Sequence, residues 1–126
     1  MCYCDYDSPE FYHSEQRIAR KRHRCSECSG YIQPSETYEH VWGKWEGDVS
    51  VHKTCSRCVE LRRFVADETD CPCIVHGNLI EHAIETAREY ANGVPGLLFG
   101  ARRRQILIYR HKKRTSHAPD ITPLSA

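Results

Sequence analysis

Long apolar runs are missing from this 126-residue chain. No stretch approaches the ~20 apolar residues that a membrane-spanning helix needs, and the first residues lack the basic start and apolar run of a secretory signal. We therefore expect a cytoplasmic protein that has no membrane partner. Large aliphatic residues are also scarce, whereas charged residues make up 28% of the chain. A hydrophobic core this small usually needs further stabilisation, for example by a bound metal ion, and the cysteines are the candidate ligands.

Cysteine is abundant, with eight residues in four short pairs. Two pairs have the spacing Cys-x-x-Cys, namely Cys25/Cys28 and Cys55/Cys58, and the 26 residues between them predict a hairpin. Two intervening residues let both thiolates reach one ion, so two such pairs complete a closed tetrahedral Cys4 zinc site. In a reducing compartment, paired cysteines favour metal over disulfides. A closed site has no open coordination position, so its zinc would hold the fold and carry out no chemistry.

The order of elements around these pairs resembles the treble-clef zinc finger. Cys28 is followed by Ser29 and Gly30 as in a zinc knuckle, where glycine permits the turn that points backbone N–H groups at sulfur. The second pair opens a predicted helix, whose N–H groups and positive dipole end stabilise thiolates. The resemblance covers residues 25–66 and implies a structural Zn²⁺. In overall style the chain also resembles the short, cysteine-rich accessory proteins of bacteriophages and mobile elements.

The other four cysteines form two Cys-x-Cys pairs, Cys2/Cys4 and Cys71/Cys73. One intervening residue still lets two thiolates reach one ion, although the chelate ring that they form with it is smaller than in a Cys-x-x-Cys pair. We therefore predict a second Cys4 zinc, which would tie the N-terminal segment to the end of the second helix. The alternatives are a chain without metal here, or a partial site in which a histidine replaces one cysteine. The candidate replacements are His76 and His13.

The strands are predicted from alternation and turn signals. Residues 36–42 and 49–52 alternate and are rich in strand formers, and the glycine-bounded residues 43–48 predict the loop between them. Ahead of the first cysteine pair, Ser8-Pro9-Glu10 has the form of a helix start. A helix from Pro9 to Arg20 is therefore expected.

Two further helices follow. One begins at Thr54 or Cys55 and ends near Ala66. The other spans residues 78–92, has the periodicity of one helical face, and starts with a capping box made of Asn78 and Glu81. The apolar run 106–109 fits a strand or a short helix equally well.

These elements predict a small α+β protein built on a treble-clef finger. We divide it into a zinc-stabilised core over residues 1–93, a basic arm over 94–114 and a disordered tail over 115–126. Residues 1–93 carry 11 Lys/Arg and 16 Asp/Glu, whereas residues 94–126 carry 7 Lys/Arg and one Asp. A basic arm is a candidate surface for an acidic partner. The candidate nucleic-acid-binding residues are Arg20, Lys21, Arg22, Arg24, Arg102, Arg103, Arg104, Arg110, Lys112 and Lys113.

A protein partner is the alternative. Trp42 and Trp45 flank the predicted glycine loop, and tryptophan is the residue most often found at interface hot spots. On the face shared with Tyr38 and His40, Trp42 is expected to pack into the core. Trp45 is expected to be exposed.

We expect no catalysis. His40 and His52 lie on predicted strands, which superficially resembles the histidine pair near the hairpin and helix of His-Asn-His-type nucleases, proteins that also carry a treble clef. However, the helix after Cys55 contains no histidine, and no oxyanion-hole glycine motif accompanies any cysteine pair. The leading prediction is a non-catalytic, zinc-stabilised nucleic-acid-associated regulatory protein without a small-molecule substrate. The alternatives are a regulator or inhibitor of a host protein complex, as in counter-defence or transcription, and a nuclease.

Overall fold

The computed structural model describes residues 11–69 and 76–116. These ranges form a small α+β fold. No helix within them is both long enough and apolar enough to cross a bilayer. The elements are β1 (Phe11–Ile18), β2 (His23–Arg24), β3 (Tyr31–Ile32), β4 (Thr37–Trp45), β5 (Asp48–Cys55), α1 (Ser56–Thr69), α2 (Leu79–Tyr90) and α3 (Leu97–Ser116).

An antiparallel sheet of order β1-β4-β5 carries one side of the fold, and β2 and β3 form a separate two-stranded ribbon. Side chains alternate between the two faces of a strand. On β4, Glu39 and Val41 face the helices, because Glu39 bonds Arg62 of α1 and Val41 is fully buried. The opposite face, which includes Trp42, is open to solvent over much of its length. We call these the helix face and the solvent face.

The helix predicted over Pro9 to Arg20 is wrong, since residues 11–18 form β1 and residues 9 and 10 lie outside the described ranges. All eight residues of β1 pair with β4, from Phe11 opposite Lys44 to Ile18 opposite Thr37. The helix-start pattern of residues 8–10 is a weak local preference. Pairing of residues 11–18 with the open edge of β4 outweighs it.

The hairpin is longer than predicted. Residues 43–45 continue β4, and β5 starts at Asp48, so only Glu46 and Gly47 turn the chain. Both have positive φ, 50° and 85°, which is the requirement of a two-residue type I′ turn. Gly43 is therefore a strand residue. A Cβ there would lie 2.7 Å from Cη2 of Trp45, so its missing side chain makes room for that ring.

The predicted second and third helices are confirmed as α1 and α2, but the capping box is wrong. Asn78 makes no side-chain cap hydrogen bond. Instead, the carboxylate of Glu27 accepts the backbone N–H groups of Gly77 at 2.8 Å and Leu79 at 3.1 Å. A residue between two knuckle cysteines thus caps a helix that begins 52 positions later.

The basic segment after residue 94 is folded onto the core as α3. Its buried residues recur at helical spacing, with Leu97, Ala101 and Ile108 joining Leu61 and other α1 and α2 residues in one apolar cluster. The apolar run 106–109 is thus helical. The helix also includes residues 115 and 116, which were predicted as tail; residues 117–126 lie outside the described ranges.

Candidate metal centre and basic surface

Four cysteines from three elements converge in the core. Cys25 and Cys28 lie on the knuckle between β2 and β3, Cys55 ends β5, and Cys58 lies in the first turn of α1. All four are buried, with at most 6% of any residue exposed. Their sulfur atoms lie within 4.8 Å of one another. The predicted first cluster therefore assembles in the fold.

The sulfur spacing suits a tetrahedral metal ion. The Sγ–Sγ distances are 3.9 Å for Cys25–Cys58 and for Cys28–Cys55. Zinc–sulfur bonds of about 2.3 Å in a tetrahedron place sulfurs about 3.8 Å apart. A disulfide needs about 2.05 Å, so neither pair is bonded. The cluster can hold a metal ion, and its donor set is that of a structural zinc site.

Backbone N–H groups converge on two of these sulfurs. Cys25 Sγ accepts from Glu27 at 3.4 Å and from Cys55 at 3.3 Å, and Cys28 Sγ accepts from Gly30 at 3.3 Å. Such bonds stabilise thiolates and orient ligands. They depend on the turn at Ser29, whose φ is 64°.

The four thiols lie close enough together to change one another's pKa. Hydrogen bonds from the neighbouring thiols, that of Cys28 first, lower the pKa of Cys25. Contact with its neighbours, Cys25 first, raises the pKa of Cys58. Four thiolates this close together would need a cation between them, and binding of a metal ion here would release protons.

The predicted second cysteine site falls outside the described residues. Cys2, Cys4, Cys71 and Cys73 all lie there, so that site stays a prediction. The histidines proposed as substitutes are both described, and they lie apart. His13 pairs with Trp42 on the solvent face, whereas His76 contacts residues of the helix face.

A second group of ligand-type residues forms beside the knuckle. Glu27, His52 and His76 each offer one ligand atom, and these atoms lie within 4.8 Å of one another. The rings of His52 and His76 stack at a centroid distance of 5.1 Å and an angle of 22°. Burial first, then the charges of His52 and Arg62, lowers the pKa of His76 to about 4. Its imidazole is therefore neutral at pH 7. We call these three residues the Glu27 cluster.

The sequence did not reveal this cluster, because its members are separated by 25 and 24 positions. On the sequence alone, His52 is instead grouped with His40 as a possible pair of metal ligands. The register separates that pair, since His40 lies opposite Lys53 and His52 opposite Val41, which places them on opposite faces of the sheet. They cannot share one metal ion.

The two basic runs meet at Tyr31. Arg22 and Arg24 lie over the Tyr31 ring at 4.2 and 4.8 Å from its centroid, and Arg24 also donates to the hydroxyl at 2.7 Å. From α3, His111 Nε2–H donates to the Tyr31 carbonyl at 3.0 Å, and the Tyr31 N–H donates to Thr115 Oγ1 at 3.3 Å.

The last turns of α3 thereby join the first basic run. Gly30 brings the backbones together, since a Cβ on it would lie 3.2 Å from Cα of Lys112. Six residues define what we call the Tyr31 surface: Arg20, Lys21, Arg22, Arg24, Tyr31 and Lys112. Lys113 and Arg114 continue α3 beside it.

The other predicted basic residues serve different roles. Arg104 lies over the Phe64 ring at 3.9 Å and also bonds Glu60 and the Gly100 carbonyl, so it holds α3 against α1. Arg102 bonds Gln105 on the same helix. Arg103 and Arg110 line an outer groove of α3 with apolar neighbours that include the exposed Phe99.

Both tryptophan predictions are wrong. Trp42 is 45% exposed on the solvent face, where it contacts Phe11 at 4.9 Å between ring centroids. Trp45 is half-buried on the helix face, with its ring edge-on to His52 and His76. The β4 register sets this outcome, because residues 42 and 45 are an odd number of positions apart.

Comparison of the chain with protein-family models, with curated proteins and with solved structures found no match in any of the three.

Proposed function

We propose that the chain is a zinc-stabilised nucleic-acid-binding protein of the treble-clef type, in which the Cys4 zinc is structural and the Tyr31 surface binds phosphates. The observation that carries the proposal is the meeting of two basic runs, some 80 residues apart in sequence, around Tyr31. Closed, buried Cys4 sites are typical of structural zinc. Knuckle, hairpin and helix follow one another in treble-clef order.

The charge around Tyr31 is one-sided. Residues 97–116 carry seven Lys/Arg and no acid, and the only acid between residues 17 and 35 is Glu27. The Glu27 carboxylate is directed to the start of α2 by its two backbone hydrogen bonds. A surface of this kind attracts phosphates by displacing condensed counterions, which makes binding depend steeply on salt.

The contacts of Tyr31 favour backbone over base recognition. Its ring is already covered by two guanidinium groups, so it is not a free platform for base stacking. The ring instead holds Arg22 and Arg24 in place. We therefore expect binding with little sequence preference.

The experiment measures binding of a fluorescent oligothymidylate over a salt series. About four phosphate contacts on a single strand give a log–log slope near −3. Lys21→Glu/Lys112→Glu should weaken binding at least tenfold and make the slope shallower by about 1 to 2. Both side chains are exposed, so the fold should survive the change.

Lys44→Glu is the matched control. Lys44 lies on β4 six residues beyond Tyr38, about 20 Å along the strand from the end of the sheet nearest the knuckle. It should bind like the wild type. Equal affinity for the double variant and the control would contradict the proposal, as would binding that ignores salt.

Protein binding is the second candidate function. It is favoured by an apolar patch on the solvent face formed by Phe11, Trp42, Val49 and Val51, which are 38–57% exposed. Trp42→Ala distinguishes the two functions. If the apolar patch is the functional surface, Trp42→Ala abolishes complexes with the partner protein. If the Tyr31 surface is the functional surface, Trp42→Ala leaves the affinity for the oligonucleotide unchanged.

A further inference from the structure

We propose that the Glu27 cluster is a second metal site, which binds one Zn²⁺-type transition-metal ion through the imidazoles of His52 and His76 and the carboxylate of Glu27. This inference does not depend on nucleic-acid binding. The site is distinct from the Cys4 centre, although Glu27 lies between two of that centre's ligands.

The strongest indication is an unpartnered nitrogen. His76 Nδ1 is buried and has no hydrogen-bond partner within the described residues. Buried polar atoms nearly always have a partner, so such a nitrogen calls for an explanation. A metal ion bound to Nδ1 would supply one.

The other nitrogen of the ring is arranged as in metal-bound histidines. His76 Nε2 lies 3.0 Å from the Tyr12 hydroxyl. With the proton on Nε2, that N–H donates to the hydroxyl oxygen and Nδ1 keeps a lone pair. Metal-ligating histidines usually give their second N–H to such an outer acceptor, which fixes the ring and its tautomer.

Glu27 can ligate while it caps α2. Each carboxylate oxygen accepts one backbone N–H, from Gly77 or Leu79, and retains a second lone pair. Nearby, the charges of Glu39 and Arg62 cancel through a paired salt bridge. The cluster brings one carboxylate and two imidazoles together, and this donor set favours a cation.

The spacing requires a modest contraction. Zinc bonds of about 2.0–2.1 Å place tetrahedral ligands about 3.4 Å apart, compared with the present limit of 4.8 Å. Rotation of the half-buried His52 and Glu27 side chains would have to close that difference, and the His52 ring would have to turn out of its stack on His76 so that a lone pair faces the ion. Two imidazoles and a carboxylate suit zinc and its neighbours better than calcium or magnesium. Three protein ligands would leave a position open to water or an anionic oxygen.

The experiment titrates the full chain with Co²⁺ and counts bound ions by native mass spectrometry. Cobalt bound by thiolates shows an intense charge-transfer band, whereas cobalt bound by imidazole and carboxylate lacks it. His52→Gln and His76→Gln should each bind one ion fewer than the wild type while keeping the whole thiolate band. That band also reports that the Cys4 centre and its surroundings have folded.

His13→Gln is the matched control, because His13 lies 61% exposed on the other face of the sheet. It should keep the wild-type ion count. Tyr12→Phe should weaken the affinity of the extra ion about tenfold without changing the thiolate band, which a purely structural role for Tyr12 would not do.

Two results would overturn the proposal. Equal ion counts in the wild type and both histidine variants would show that no ion binds here. A thiolate band that falls in those variants would place the histidines in a cysteine site or in the folding core instead.

Discussion

Gly100→Ala tests how closely α3 packs on α1, on which the Tyr31 surface depends. Gly100 is a buried residue of α3, and a Cβ added to it would lie 2.4 Å from Cζ and 2.8 Å from Cε2 of Phe64. The Phe64 ring cannot simply withdraw, because Arg104 lies over it at 3.9 Å.

Two opposing effects set the magnitude. Alanine is better than glycine inside a helix by about 1 kcal/mol. Overpacking a filled site costs about 1–3 kcal/mol, and contacts this short belong at the upper end. We therefore expect a net loss of about 1–2 kcal/mol, which corresponds to a fall in Tm of roughly 5–10 °C for a domain of this size.

The assay is thermal unfolding followed by circular dichroism at a fixed, saturating zinc concentration, since bound metal shifts Tm. In a Phe64→Leu background the obstructing ring is gone, so the same glycine change should become neutral or stabilising. Gly93→Ala is the control, because the nearest atom to its Cβ is 4.0 Å away. If Gly100→Ala raised the Tm of the wild-type protein, or lowered the Tm equally in the wild type and in the Phe64→Leu variant, the packing argument would be refuted.

Three further outcomes are expected. Cys58→Ser should abolish cooperative unfolding, because a structural zinc supplies on the order of 10 kcal/mol to folding; a sharp transition that a chelator does not affect would contradict this. Arg62→Met should cost about 2–4 kcal/mol in denaturant unfolding by leaving the half-buried Glu39 unpaired, and adding Glu39→Gln should recover most of it. Because the pKa of His76 lies below its unfolded value, wild-type stability should fall as pH drops from about 6.5 to 4. His76→Gln should lose part of that slope and His13→Gln should keep it; equal slopes in the two variants would exclude His76 as its source.

Burial and the Arg62 pairing act in opposite directions on Glu39. Burial is the largest single effect and raises the pKa of this carboxyl, but the hydrogen bonds and the charge of Arg62, with smaller contributions from His76 and Ser14, together hold the pKa below its usual value. Glu39 is therefore charged at neutral pH. Removing Arg62 lowers the stability of the fold because this half-buried carboxylate then has no cationic partner.

The parts of the fold that the sequence predicted are those set by local chemistry. The spacing of the Cys25 and Cys55 pairs leaves few ways to place four thiolates, so the first cluster was predictable. The apolar periodicity of α2 was likewise sufficient to place that helix.

The missed parts depend on partners distant in the chain. Residues 11–18 become a strand because β4 offers an open edge, and Asn78 is not needed as a cap because Glu27 takes that role. The Glu27 cluster and the Tyr31 surface arise in the same way. A pattern within one segment carries no information about which segment packs against it.

We propose that Cys25, Cys28, Cys55 and Cys58 bind one structural metal ion. The most direct measurement is a Co²⁺ titration of a chain with serine replacing the cysteines at positions 2, 4, 71 and 73. One equivalent of cobalt should saturate the thiolate charge-transfer band, with the visible spectrum of a tetrahedral tetrathiolate site, and zinc should displace it. Failure to saturate at one equivalent, or a spectrum that indicates fewer than four thiolate ligands, would exclude a single Cys4 metal site.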